Sequence, residues 1–276
     1  MSPSLSRNGP RIDHRQLQAR QQSGWAGGDY AVAGNALQMV SEELCESVNL
    51  CQDERVLDVA AGGFHASLAA ARRWCDVTAT DYASDLVNRS RERTEAKAMG
   101  VQFVDADAEA LPFVDQSFGA VVSAFGAMFA PDQERAASEM IRVCRRGRRI
   151  GLANWTPTGF IGQLFVTIAA HAPGTTSRSS PFLWGTTERL EELFGVYGSV
   201  WSARKNVALR ARTPMDWVDK LRANYSPVLR TFAALDAARQ KSLRGALLEL
   251  VTRFNRARDS TMLVDAEYLE VVVTRR

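Results

Sequence analysis

The chain has 276 residues, 46% hydrophobic and 24% charged, with 34 Lys and Arg set against 31 Asp and Glu. This length makes one large or two small domains, and the apolar share excludes wholesale disorder. A net charge of +3 is too balanced to imply a nucleic-acid partner.

Residues 1–24 are polar and rich in Arg, Gln and Ser, and read as a loose tail. From Arg55 to about Trp155, short apolar runs alternate with longer periodic segments. Val56 to Ala60, interrupted only by Asp58, reads as a strand buried on both faces. Asp76 to Thr80, Val101 to Val104, Ala120 to Ser123 and Arg149 to Trp155 are four further strands. Ala136, Met140 and Val143 recur at helical spacing after Pro131 and Asp132. Strand and helix alternating at this pace predict an α/β fold with a parallel sheet and right-handed crossovers.

Beyond Trp155, Phe160, Ile161, Leu164, Phe165 and Ile168 predict a helix, and a second spans Thr187 to Phe194. Val200 to Leu209 reads as a strand, 214–258 as helical, and Glu267 to Thr274 as a closing antiparallel strand. The expectation is one domain over 25–276, with a cofactor-binding half at 50–155. Insertions fall at 156–195 and 214–258, the latter forming a helical lid beside the cofactor cleft.

Cys45, Cys51, Cys75 and Cys144 form no C-x-x-C pair, and His14, His65 and His171 lie far apart, so no metal site is expected. Sparse cysteines fit a reducing, cytoplasmic compartment. Arg7, Arg11, Arg15 and Arg20 accompany no apolar segment, so no secretory signal is expected. The longest charge-free apolar run, Phe118 to Pro131, is shorter than the ~20 residues of a membrane span. Arg145 to Arg149 reads as a solvated turn.

The chemistry is expected at the carboxyl ends of the first three strands. Asp58-Val-Ala-Ala-Gly62-Gly63 follows the first strand, and such a loop of small residues lets backbone approach a ligand closely. Asp81 ends the second strand, where an acid can accept both hydroxyls of a ribose. Asp107 follows the third. Three such features in register on one sheet edge mark a ligand site. Each also has a structural reading: Asp81 and Asp107 as helix caps, Tyr82 and Phe125 as core, His65 and His171 as surface residues.

Val56-Leu-Asp-Val-Ala-Ala-Gly62 resembles the first motif of class I S-adenosylmethionine-dependent methyltransferases. Thr80-Asp81-Tyr82, Asp107-Ala-Glu-Ala-Leu-Pro-Phe113 and Arg142-Val-Cys-Arg-Arg-Gly147 match later motifs in order. The chain is most similar to the ubiquinone/menaquinone-biosynthesis-like (methyltransferase type 11) branch. Trp25 to Tyr30 and Met128 to Asp132 resemble motifs of actinobacterial members. The resemblance implies a Rossmann-like, seven-stranded, mostly parallel sheet with helices on both faces, and S-adenosylmethionine as cofactor. It implies that Asp58 holds the methionine ammonium through water, and that Ala60 and Gly62 lie in the cofactor loop. By the same resemblance Asp81 binds the ribose, Tyr82 packs on the adenine, Asp107 and the Ala108 amide bind the adenine edge, and Ser123 faces the methionine end. No catalytic residue is implied.

Two departures stand out: Phe64 occupies the last glycine position of the loop motif, and Gly119 stands where an Asp is usual. The Phe64 ring either fills cofactor space or turns into the helix interface, and the tight bend favours the first. Substrate selection is expected from Trp25, Tyr30, the 155–165 segment and the helices carrying Trp217, Tyr225 and Phe232, which suit an apolar or aromatic small molecule. The second reading is a methyltransferase-fold protein that binds a ligand or partner without catalysis, and the third a nicotinamide-dependent oxidoreductase. Neither a nucleic acid nor a membrane is an expected partner; homodimerisation is left open.

Overall fold

The computed structural model describes residues 37–82, 100–172 and 180–276; the expected tail, Trp25 and Tyr30 lie outside them. The five expected strands are β1 (Arg55–Val59), β2 (Asp76–Asp81), β3 (Val101–Asp105), β4 (Phe118–Ala124) and β5 (Cys144–Trp155). They pair in parallel, in the order β3-β2-β1-β4-β5. Two long strands, β6 (Gly198–Ala211) and β7 (Met262–Arg275), complete a seven-stranded sheet. β7 runs antiparallel to both β5 and β6, which is the closing antiparallel strand expected from Val271-Val-Val273.

Burial explains why these runs are strands. Val56, Leu57, Val59, Val121 and Val122 are fully buried, so no polar alternation marks a solvent face. Helices α1 (Leu37–Val48) and α2 (His65–Ala71) pack on each other, α1 over β4 and β5 and α2 over β1, β2 and β4. Helices α3 (Gln133–Val143) and α5 (Thr187–Phe194) likewise pair, against β5 and β6. The start of α3 is fixed by Asp132, whose carboxylate accepts from the Arg135 N–H at 3.0 Å. β5 begins earlier than Arg149 because the Arg145–Arg148 stretch continues the strand around Gly147, with those residues exposed.

Helix α4 (Phe160–His171) follows β5. The 214–258 stretch is helical as expected, in three helices: α6 (Pro214–Asn224), α7 (Ser226–Ala233) and α8 (Ala237–Phe254). Pro227 lies in the first turn of α7, where its missing N–H is harmless, and Asp236 caps α8 by accepting from Arg239 N–H at 2.8 Å. The helical segment ends at Phe254, where the Asn255 side chain accepts from the N–H groups of Ala257 and Leu263.

Since β6 ends and β7 begins at the carboxyl edge of the parallel strands, these helices cap that edge. Phe160 of α4 packs on Trp217 (5.2 Å between ring centres) and on Phe254 (5.5 Å), and Phe165 meets Tyr225. The cap therefore stands over the β5-β7-β6 half. Asp81 lies on the other half, at the end of β2.

Candidate functional site

The loop between β1 and α2 has an alternating backbone. Ala60 (φ 53°), Gly62 (φ 51°) and Phe64 (φ 61°) are all left-handed. For Gly62 this conformation costs nothing; for Ala60 and Phe64 it costs about 1–2 kcal/mol each. Ala61 N–H donates to Thr80 O at 2.9 Å and Phe64 N–H to Ala61 O at 2.8 Å, which holds the bend. A Cβ added at Gly62 would meet nothing within 4 Å, so the loop presents bare backbone to open space there. From the other side, Gly126 lies against the loop so closely that a Cβ on it would come within 2.0 Å of Ala60 O.

Phe64 corrects the expectation that its ring fills cofactor space. The side chain is 1% exposed and packs beneath the loop on Ala79 and, edge-to-face at 5.0 Å, on Phe103. The bend is tight, but β2 and β3 leave a hollow at its inner side into which the ring turns. The strained φ is real; the obstruction is not.

Asp81, at the end of β2, is 6% exposed, and its Oδ2 accepts from Gly62 N–H at 2.9 Å. Asp58 is more deeply placed. It is 1% exposed and its Oδ2 accepts from the Ser67 hydroxyl at 2.6 Å. Burial pushes its carboxyl up to about 7; hydrogen bonds from the Ser67 side chain and backbone offset part of this, and the Asp81 charge adds to the rise. Tyr82 is half-buried beside Asp81.

Asp107 is half-buried and its Oδ1 accepts from Glu109 N–H at 2.9 Å, with Ala108 7% exposed next to it. This turn is tied to α3 by contacts of motif residues to which the sequence assigned no role. Glu109 Oε1 accepts from Asp132 N–H, Arg135 donates to Glu109 O, and Arg142 donates to Leu111 O and Phe113 O. The spacing of Glu139 and Arg142, an i,i+3 ion pair, was the one available signal. Ser67, alone in an alanine-rich helix, gave none.

Ser123 is placed differently from the expectation that it faces the ligand. It is 1% exposed, its hydroxyl donates to Val59 O at 2.7 Å and accepts from Ala127 N–H at 2.9 Å. It clamps β4 to the loop. Phe125 is core, stacked on Trp155 at 3.8 Å. His171 lies on α4 with Nδ1 2.9 Å from Thr167 O, away from the loop, and His65 is half-buried at the start of α2. Phe232 is core, whereas Trp217 and Tyr225 are half-buried in the cap. Gly119 has a partner for its missing side chain: the Glu54 carboxylate occupies the space and pairs with Arg149 at 3.1 Å.

Among the described residues, no group of His, Cys, Asp and Glu could hold a metal ion. No described helix is long and apolar enough to cross a membrane.

A Rossmann-like sheet with a left-handed glycine loop and three carboxylates along one edge marks a candidate site for a nucleotide-type ligand. Residues 57–150 match the family model described as a methyltransferase domain. An uncharacterised protein of Mycobacterium tuberculosis is 33% identical over 273 residues, covering 97% of this chain and 98% of that one. The demethylmenaquinone methyltransferase of Thermus thermophilus is 36% identical over 106 residues, which is 38% of this chain and 48% of that enzyme. The crystal structure of the YcgJ protein of Bacillus subtilis has a TM-score of 0.59 at 19% identity, covering 86% of this chain and 99% of that one. The chain belongs to the class I methyltransferases, in the methyltransferase type 11 branch.

Proposed function

We propose that the protein transfers a methyl group from S-adenosylmethionine to an apolar or aromatic small molecule. The observation that carries the reading is the bond from Gly62 N–H to Asp81, which fixes the carboxylate at the mouth of the left-handed loop. The residues present fit the cofactor. Asp81 would take the ribose hydroxyls, Tyr82 the adenine face, and Asp107 with the Ala108 amide the adenine edge. Asp58 lies where a methionine ammonium would need a negative partner, and the open space at Gly62 admits the ligand against bare backbone. Ser123 contributes by shaping the loop and not by direct contact. The bound sulfonium supplies an already activated methyl group, so alignment of the acceptor is the main demand on the protein.

Acceptor choice is assigned to the aromatic cap. Phe129, Phe165 and Phe182 form a ring cluster with centres 5.1–6.3 Å apart, beside half-buried Tyr225. Such a lining suits an apolar ring system and no nucleic-acid backbone. We take 25–276 as one domain working in the cytoplasm. The reading in which catalysis is lost rested on Phe64 and Gly119; the first ring lies under the loop and the second gap is filled by Glu54.

Calorimetry with S-adenosylmethionine, S-adenosylhomocysteine and NAD tests the proposal. Binding of the first two and not the third is expected. Binding of NAD, or of none of the three, would overturn it.

A further inference from the structure

Asp58 and Ser67 form a pair that the loop geometry alone does not require. The carboxyl lies one residue before the end of β1 and the hydroxyl belongs to the third residue of α2; both side chains are buried, at 1% and 0% exposure. The groups that act on the carboxyl are neutral or negative. From α1 comes the Cys45 thiol, itself pushed up to about 12 by burial. From α2 comes Ser67, two residues after His65, and from β2 comes Asp81. Thr80 donates to the Asp58 carbonyl at 3.1 Å, so the backbone is pinned as well. Among the described residues, no Lys or Arg acts on this carboxyl.

A dry carboxyl with an acid for a neighbour holds its proton more tightly than one in water. The arrival of a cation reverses that balance. S-adenosylmethionine carries a sulfonium and an ammonium against one carboxylate, so it brings net positive charge. We propose that Ser67 is a positioning residue for cofactor capture: its hydroxyl fixes the buried Asp58 carboxyl, which releases its proton as the cationic cofactor docks. This rests on the cofactor reading above. In the step the Asp58 O–H bond breaks and the proton passes to solvent, while the Ser67 hydroxyl continues to donate to Oδ2. Without that donor the ionised carboxyl loses a partner, and release shifts to higher pH.

Isothermal titration of the full chain with S-adenosylmethionine, in phosphate and in Tris, counts the protons exchanged from the difference in ionisation enthalpy. At about pH 7 the wild type is expected to release about half a proton, falling towards zero by about pH 9. Asp58→Asn is expected to release none. Ser67→Ala is expected to weaken binding about tenfold more at about pH 6 than at about pH 9, and Ser67→Thr to restore the wild-type profile. A merely structural serine would instead weaken binding equally at both. Binding without proton exchange, release that persists in Asp58→Asn, or an equal loss at both pH values in Ser67→Ala would each overturn the proposal while leaving the cofactor reading intact. If Ser67→Ala fails to fold, Ser67→Cys, whose thiol is a weaker donor of similar size, is read in the same way at the two pH values. Failure to bind at any pH overturns the cofactor reading and this proposal together.

Discussion

The Asp81 carboxylate accepts from the backbone N–H of Gly62 at 2.9 Å, joining the end of β2 to the middle of the left-handed loop. One side chain thus sets the loop and, on the proposed function, would present an acceptor to a ribose. Asp81→Ala is expected to weaken S-adenosylmethionine binding by about 1–3 kcal/mol, measured by calorimetry. An unchanged affinity would remove Asp81 from the site.

Phe64 combines a strained backbone with a buried ring, and the two can be separated by substitution. Phe64→Ala is expected to cost about 3–5 kcal/mol in chemical denaturation, since it empties the hollow over Ala79 and Phe103. Phe64→Gly is expected to be the more stable of the two by about 1 kcal/mol, because φ 61° favours glycine. Cofactor affinity should change little in either. A gain of tenfold or more in Phe64→Gly would show that the ring does obstruct the ligand.

Gly119 and Glu54 form a complementary pair across β4 and the start of β1. A Cβ at Gly119 would lie 2.7 Å from Glu54 Cγ, and an Asp there would set a second carboxylate against one that is already 7% exposed. Gly119→Asp is expected to destabilise the fold by about 2–4 kcal/mol. Adding Glu54→Ala should recover at least half of that in a double-mutant cycle; strict additivity would refute the pairing.

The raised proton affinity of Asp58 has a consequence for stability. The folded carboxyl stays protonated up to about 7, whereas an unfolded one ionises near 3.8. Between those values the unfolded state binds fewer protons, so stability falls as pH rises through the window. Asp58→Asn has nothing to ionise. Its stability relative to the wild type should therefore rise by about 2–3 kcal/mol from pH of about 5 to about 8 in urea titrations. A constant difference would mean that the carboxyl is ionised throughout.

The strands were legible because parallel strands covered on both faces read as unbroken apolar runs, as Val56-Leu57 and Val121-Val122 do. Gly62, Asp81 and Asp107 were legible as a spaced set. The conformation of Ala60 and Phe64 was not, because neither residue favours positive φ and only the bonds around Ala61 impose it. Glu54 at Gly119 was hidden for another reason: the contact is made by the sheet, between residues far apart in the chain. The helical character of 214–258 was legible, and Pro227 and Asp236 mark two of its helix starts.

The ladder between β6 and β7 runs unbroken to Ala211 opposite Met262, so the chain leaves and rejoins the sheet at paired positions, about 5 Å apart. Everything between them, α6 to α8, is a closed excursion that leaves and returns at one rung and packs on α4. Such a segment can lengthen, shorten or be exchanged between relatives while the ladder keeps its register and the β1-β2 edge feels nothing. On the proposed function, the surroundings of Tyr225 could then change as a graft does on a rootstock, with the cofactor end held constant.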